Sequence, residues 1–521
     1  MVNAERNQGK FNLSLFWKSK PSSKPESKNN SSHGSTDFQT GKNEEIVERY
    51  QLGRFVSIVI TRNKESGQLC YNQLFDALSP EESEVYQKTV KIYREEAPFE
   101  VEADMLKVFE RELKRVAKKY GLVISDESWT KILYYAARDL LKVGYGILDG
   151  FMRDPSIEDI RCNGVGVPLF VWHIRYKYIL TNVVFNSEVE LDNLVRRLAQ
   201  IAGKHISVAY PRVVALLPGN HRLSANYSRE ITRFGSAFQI RKFKETAFSI
   251  VDLIDRGTMS PRMAAYFWIL MENKIPFMTI GATGAGKTTT LNALLCMLKP
   301  GTGVITVEES PELNLSHLNW ISKHARESYG LEGETGYIGL FELVQDALKQ
   351  RPEVLVIGEV TGKEATVLFS AIATGHGGLC TFHAEDVYGA IRRLVARDIG
   401  VAPEDIERMR VYVNLQQVEL RGAKDYSTRR VLEVTEVESF RGDKLVGRTV
   451  FKWNPKNDSF EEHLEKSYLL PQIASVTGKT VDELLAEIEQ RTTFLQYLKE
   501  KGLRTYADVA KAINLYWEGK V

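Results

Sequence analysis

Long apolar runs are missing from this chain of 521 residues. No stretch of about eighteen uninterrupted apolar residues occurs, so no membrane-spanning helix is expected, and any membrane association should be peripheral. The first residues also lack the apolar core of a secretory signal, which leaves the chain expected on the cytoplasmic side. Cysteine is scarce: Cys70, Cys162, Cys296 and Cys380 lie far apart and form no CxxC pair. That spacing argues against a zinc site and against a disulfide framework, and the four read as ordinary reduced thiols. Net charge is nearly absent too. At +2 the chain has no bulk field to attract nucleic acid, although a near-neutral total can conceal local patches. Nucleic acid is therefore not expected as a partner.

What is present is a globular composition, 43% hydrophobic, long enough for about two to four domains with real cores. Residues 1–47 are rich in Ser, Asn, Lys and Gly and are expected to be a disordered tail. Within it Phe11, Leu13, Leu15, Phe16 and Trp17 precede Lys18 and Lys20. That pairing suits peripheral contact with an anionic membrane surface, or is a few stray apolar residues. Residues 48–148 are expected to be a helical N-terminal region, because apolar residues recur at helical spacing from Leu78 to Leu148, with Gly121 and Gly144 as stops. Residues 149–243 alternate short β-rich runs (IEDIRCNG, PLFVWH, YKYILTNVVF) with the amphipathic stretch Glu188–Ala202, which predicts a mixed α/β domain. From 244 to 521, PFMTI, GVITVEE, EVLVIGE and GLCTFH are separated by amphipathic segments, the pattern of a parallel sheet with crossover helices. β-like runs beyond Val411 and helical patterns near the C-terminus extend that domain.

The run Gly281, Ala282, Thr283, Gly284, Ala285, Gly286, Lys287, Thr288 is a complete GxxxxGKT, followed by Thr289. It lies between the β-compatible Ile275–Ile280 and a segment with Leu291, Leu294, Leu295 and Leu298 at helical spacing. Its glycines let the backbone curl so that several N–H groups face one anion at a helix N-terminus. Lys287 is placed to reach the β- and γ-phosphates of ATP, and the Thr288 hydroxyl to help coordinate Mg²⁺.

Glu359 closes the apolar run EVLVIG, where a carboxylate is costly unless it serves a cation or a water. It is expected to orient Mg²⁺-bound or attacking water. GVITVEESPEL places Glu308, Glu309 and Glu312 after another strand, and TGHGGLCTFHAED places His376 and His383 about the next. All are expected at the carboxyl end of the sheet, where open parallel sheets bind ligands. The histidines would sense the γ-phosphate or tie subunits together.

Together GATGAGKT, VEESPELNL, VLVIGE and TGHGGLCTFHAED resemble, in order, the Walker A, Asp box, Walker B and His box of the archaeal type II/IV secretion ATPases that drive type IV pili or the archaellum. The resemblance runs from about Tyr145 to the C-terminal helices. It implies a RecA-like P-loop domain behind an N-terminal domain, assembled as a homohexamer that hydrolyses ATP and pushes on a polytopic membrane platform protein. Carried over, Lys287 and Thr288 bind phosphate and Mg²⁺, Glu359 is the Walker B acid, Glu308 and Glu312 occupy the Asp box, and His376 and His383 the His box. Arg222 and Arg241, in LLPGNHRLSANYSREITRFGSAFQIRKF, match arginines that hold nucleotide from the preceding domain. Two departures stand out: Glu309 replaces the usual Asp, and Thr361 the usual Arg after the Walker B acid. The family's bacterial tetracysteine zinc module is absent. The competing readings are a nucleic-acid motor, for which no aromatic and basic channel lining is visible, and a degenerate nucleotide-gated structural subunit.

Overall fold

The structure is a computed structural model and describes residues 41, 43–96, 105–120, 124–140, 144–243, 247–326, 336–419, 428–441 and 444–520. The tail expected at the N-terminus, with its apolar patch, lies outside the described residues through position 40. The chain divides into two compact units, Met1–Phe243 and Lys244–Val521.

The first unit holds strands β1 (Glu44–Gln51), β2 (Val56–Asn63), β3 (Leu69–Phe75), β4 (Ile157–Cys162), β5 (Pro168–His173), β6 (Lys177–Val184), β7 (Arg212–Leu217), β8 (His221–Asn226) and β9 (Ala237–Arg241). Its helices are α1 (Pro80–Glu96), α2 (Met105–Tyr120), α3 (Asp126–Leu140), α4 (Asp149–Arg153) and α5 (Glu188–Ile201). The strands form one sheet in the order β1-β2-β3-β6-β5-β4-β9-β8-β7, antiparallel except where β3 runs beside β6. α5 buries Leu191, Val195, Leu198 and Ala199, a stripe at helical spacing, in the core shared with Ile160, Val171 and Ile240.

Here the structure differs from the helical region expected over 48–148. Three strands precede the three helices, because VSIVI in β2 is a β-branched run whose residues are almost all buried. Through the β3–β6 pairing these strands continue the same sheet as the mixed segment that follows. α1, α2 and α3 then close a small core of their own around Phe109, Leu113 and Ile132.

The second unit contains β10 (Phe277–Gly281), β11 (Val304–Glu308), β12 (Trp320–His324), β13 (Val354–Val360), β14 (Gly377–His383), β15 (Val411–Val418), β16 (Thr428–Arg441), β17 (Lys444–Asn454) and β18 (Ser459–Glu462). Its helices are α6 (Ile250–Asp255), α7 (Pro261–Glu272), α8 (Lys287–Leu295), α9 (Leu340–Lys349), α10 (Glu364–Ala373), α11 (Val387–Val395), α12 (Leu469–Thr477), α13 (Val481–Glu500) and α14 (Tyr506–Trp517). The sheet order is β12-β11-β13-β14-β10-β15-β16-β17-β18. Strands β12 through β15 are parallel, and β16, β17 and β18 add an antiparallel flank to the same sheet.

Both faces of the parallel part are covered, which is why its strands read as unbroken apolar runs rather than alternating ones. Phe277, Val356 and Leu379 face a core with Phe267, Trp268, Leu291 and Leu495. Their neighbours Met278, Ile357 and Cys380 face a second core with Val344, Leu368 and Ala390. The fold is α/β: a mixed α/β unit followed by a unit built on a mainly parallel sheet with helices on both faces. No helix among the described residues is long and apolar enough to cross a membrane.

Candidate functional site: a phosphate loop at the carboxyl ends of the parallel strands

The loop joining β10 to α8 curls through Gly281, Gly284 and Gly286, each with positive φ. At Gly281 the need for glycine is steric as well: a Cβ there would lie 2.3 Å from the Leu415 carbonyl oxygen of neighbouring β15. Gly286 caps α8 in the left-handed region at φ 93°, so the helix opens with free N–H groups directly after the turn. Ala282, Thr283 and Gly284 are exposed, Ala285 is buried, and Thr288 is half-buried. Thr289 is exposed on α8.

Lys287 is only 6% exposed, and its ammonium donates to the Gly281 and Ala282 carbonyls, both at 3.0 Å. Strand register sets Gly281 of β10 beside His383 of β14, and Lys287 Nζ meets His383 Nδ1 at 3.1 Å. On the other side of the ring, His383 Nε2 stands 3.0 Å from Glu359 Oε1. The neutral Nε2–H tautomer satisfies both contacts, accepting from the ammonium and donating to the carboxylate. Burial first, and then the Lys287 charge, hold the imidazole below its ordinary pKa, against the pull of Glu359. Burial likewise lowers the Lys287 pKa, with Glu359 and Glu312 opposing.

Glu359 lies where the β13–β14 pairing shifts register, between Ile357 and Val360. Beyond it, Glu364 anchors the turn: its Oε1 accepts from the backbone N–H groups of Thr361 and Gly362 and, at 3.3 Å, from the Thr361 hydroxyl.

Glu308 ends β11 and is 2% exposed. Its Oε1 accepts from the N–H groups of Glu312 and Leu313, both at 2.9 Å, whereas Oε2 is buried with no hydrogen-bond partner among the described residues. Burial outweighs those bonds and pushes its pKa up to about 7. Gly358 makes the room: a Cβ there would come within 2.8 Å of Glu308 Cγ. Glu309 and Glu312 are exposed.

Lys287, His383 and Glu359 thus form one hydrogen-bonded chain, with the buried Glu308 packed against the strand that carries Glu359. His376 does not join them. It sits at the opposite end of β14, where its Nδ1 lies 3.1 Å from Thr374 Oγ1 and 3.2 Å from the Ala371 carbonyl, at the C-terminal end of α10. A seven-residue strand separates its ends by ~20 Å, so residues flanking it cannot share one end of the sheet.

Arg222 and Arg241 belong to the first unit and face each other across the β8–β9 pair. Directly opposed cations destabilise a ladder unless an anion is near. Asp159 on β4 supplies one, 3.1 Å from Arg241 Nε.

Arg429 is the residue that motif reading missed. Its Nε donates to the Gly284 carbonyl at 3.1 Å, from β16, far along the chain and outside every motif. Only the antiparallel hairpin of β15 and β16, added beside β10, brings it to the loop.

Thr288 and Glu359 supply oxygen donors of the kind a hard cation such as Mg²⁺ takes, alongside waters and phosphate oxygens, and the buried Oε2 of Glu308 has no hydrogen-bond partner among the described residues. Among the described residues no group of three or more His, Cys, Asp and Glu gathers as a protein-only metal cage.

A GxxxxGKT loop at the carboxyl edge of a parallel sheet, with a carboxylate on a strand beyond its neighbour, defines a P-loop nucleotide-binding fold. The chain belongs to the type II/IV secretion system protein family, whose model matches residues 172–439. It is 33% identical over 403 residues to an uncharacterized protein of Methanocaldococcus jannaschii, covering 76% of this chain and 71% of that one. It is 32% identical over 300 residues to a putative conjugal transfer protein of Mycobacterium tuberculosis, covering 56% of this chain and 83% of that protein. The ATPase DotB of Yersinia pseudotuberculosis superposes with a TM-score of 0.41 at 18% identity, over 71% of this chain and 93% of that one.

Proposed function

We propose that this chain is a motor ATPase that hydrolyses MgATP and works as a homohexamer on a polytopic membrane platform protein, powering assembly of a type IV pilus-like filament, pilus or archaellum, or type II-like secretion. The observation that carries the reading is the Lys287–His383–Glu359 chain at the mouth of the phosphate loop. It links the cation that would meet the γ-phosphate to the carboxylate that would orient water. Lys287 leaves its two loop carbonyls for phosphate oxygens when nucleotide enters, and the Gly286–Thr288 N–H groups hold the phosphate at the start of α8. Mg²⁺, held by Thr288 and, through water, by Glu359, supplies charge neutralisation of the phosphate oxygens. Glu359 orients the attacking water, and Glu308, buried beside Gly358 on the strand that carries Glu359, occupies the Asp box. Glu312 completes the acidic edge.

Arg222 and Arg241 would add guanidinium groups to the transferred phosphate, whose charge one lysine and Mg²⁺ only partly offset. His376 is better suited to contact a neighbouring subunit than to sense phosphate, given its place at the far end of β14. The motor would stand at the cytoplasmic face of the membrane, with the N-terminal tail as an additional peripheral contact. Purified protein should hydrolyse ATP only with Mg²⁺ present, with turnover rising as light scattering reports a ring of six. Protein that neither binds nor hydrolyses ATP, with or without lipid, rules the reading out.

A further inference from the structure

The phosphate loop has an outer wall made by the β15–β16 hairpin. Leu415 O closes on Gly281, Gln417 Oε1 lies 3.8 Å from the Cβ position of Gly284, and Arg429 Cδ lies 3.0 Å from that of Gly286. Arg429 is thus laid along the loop, its stem on Gly286 and its Nε on the Gly284 carbonyl. A guanidinium has five N–H donors, and this bond uses one. Arg429 is exposed, and no carboxylate pairs with it among the described residues. Its neighbour Arg430, by contrast, is buried and forked onto both oxygens of Asp458, at 2.8 Å each. Among the described residues no carboxylate compensates this cation, fixed at the rim of a loop that already holds Lys287, and an arriving anion would do so.

Resting on the nucleotide-binding reading above, we infer that Arg429 is a nucleotide-binding residue that holds the polyphosphate from within the same chain, with the Gly284 carbonyl fixing its guanidinium before the ligand arrives. The anchoring matters because a pre-oriented fork loses less side-chain freedom on binding than a free arginine would. This also changes the charge inventory of the site. Arg429 gives the unit that carries Lys287 a second cation at the loop. Arg222 and Arg241 would then act in transfer more than in retention of nucleotide.

The test is the affinity of the full-length protein for MgATP, MgADP and adenosine, measured by calorimetry for wild type, Arg429→Gln, Arg429→Lys and Lys287→Ala. Arg429→Gln should weaken MgATP and MgADP about tenfold and leave adenosine unchanged, and Arg429→Lys should recover part of the loss. Equal affinities of Arg429→Gln and wild type for MgATP would overturn the inference. So would an equal loss for all three ligands, which would place the guanidinium on the purine or indicate damage to the fold. Wild-type protein without MgATP affinity would instead remove the nucleotide-binding reading itself, and the Lys287→Ala control separates the two failures.

Discussion

His383 Nε2 lies 3.0 Å from Glu359 Oε1 while the opposite ring nitrogen meets the Lys287 ammonium, so one imidazole joins the phosphate-loop cation to the carboxylate on β13. Its protonation therefore reports on both partners with opposite signs. Burial and Lys287 lower its pKa, and Glu359 raises it. A ¹³C-detected histidine titration should place His383 below the ordinary imidazole value, ~6.5, in wild type. Lys287→Ala should move it up and Glu359→Gln should move it further down. Shifts of the same sign in both variants would mean that the two charges do not act on this ring.

Glu308 predicts a stability effect. Its folded pKa of about 7 lies above the unfolded value of 4.5, so its favourable contribution is complete below the unfolded value and is lost as pH rises through the folded one. Glu308→Gln keeps an acceptor for the Glu312 and Leu313 N–H groups and has no charge to bury. Relative to wild type it should gain stability between pH 4 and pH 8, by about 3 kcal/mol from the pKa difference. Denaturant midpoints at the two pH values check this, and a pH-independent difference contradicts it.

Gly358→Ala tests the room made for that carboxylate. Its Cβ would intrude 2.8 Å from Glu308 Cγ, an overpacking clash of about 1–3 kcal/mol. Thermal unfolding should show the loss, and MgATP turnover should fall with it. In the double variant with Glu308→Ala most of the stability loss should disappear, because the clashing atom is gone; no such rescue would place the strain elsewhere.

Arg241→Ala separates a nucleotide role from a surface ion pair. The side chain is 55% exposed and pairs with Asp159, so its removal should cost at most about 1 kcal/mol of stability. Turnover should nevertheless fall at least tenfold, and Arg222→Ala should behave alike. Full activity in both would return them to ordinary surface residues.

Much of this site was legible in sequence because its parts are short and local. GATGAGKT needs only its own glycines and the helix that follows, and an acid closing an apolar run announces a buried strand end. What was hidden depends on pairing. His376 and His383 look equivalent in TGHGGLCTFHAED, yet the intervening residues form an extended strand that sends them to opposite ends of the sheet. Arg429 carries no motif, and its place depends on an antiparallel hairpin packing beside β10. The strands β1 to β3 were hidden for a simpler reason. The helical periodicity that begins at Leu78 says nothing about the residues before it, and VSIVI joins a sheet whose other strands lie about a hundred residues on.

The departure at Thr361 has a structural counterpart in the Glu364 anchor, which uses the backbone of that turn and draws little on its side chain. Thr361→Arg should therefore fold as wild type does. If an arginine there communicates between nucleotide and neighbouring subunit, turnover or its cooperativity should rise, and identical kinetics would show the position to be neutral.

The most direct test of the account is Glu359→Gln, assayed for MgATP affinity and for steady-state turnover in one preparation. The substitution keeps the side chain's size and a carbonyl oxygen for His383 while removing the charge that orients water. Affinity should stay within a few-fold of wild type, and turnover should fall by about two orders of magnitude or more. Turnover equal to wild type would remove Glu359 from the mechanism and contradict the central claim.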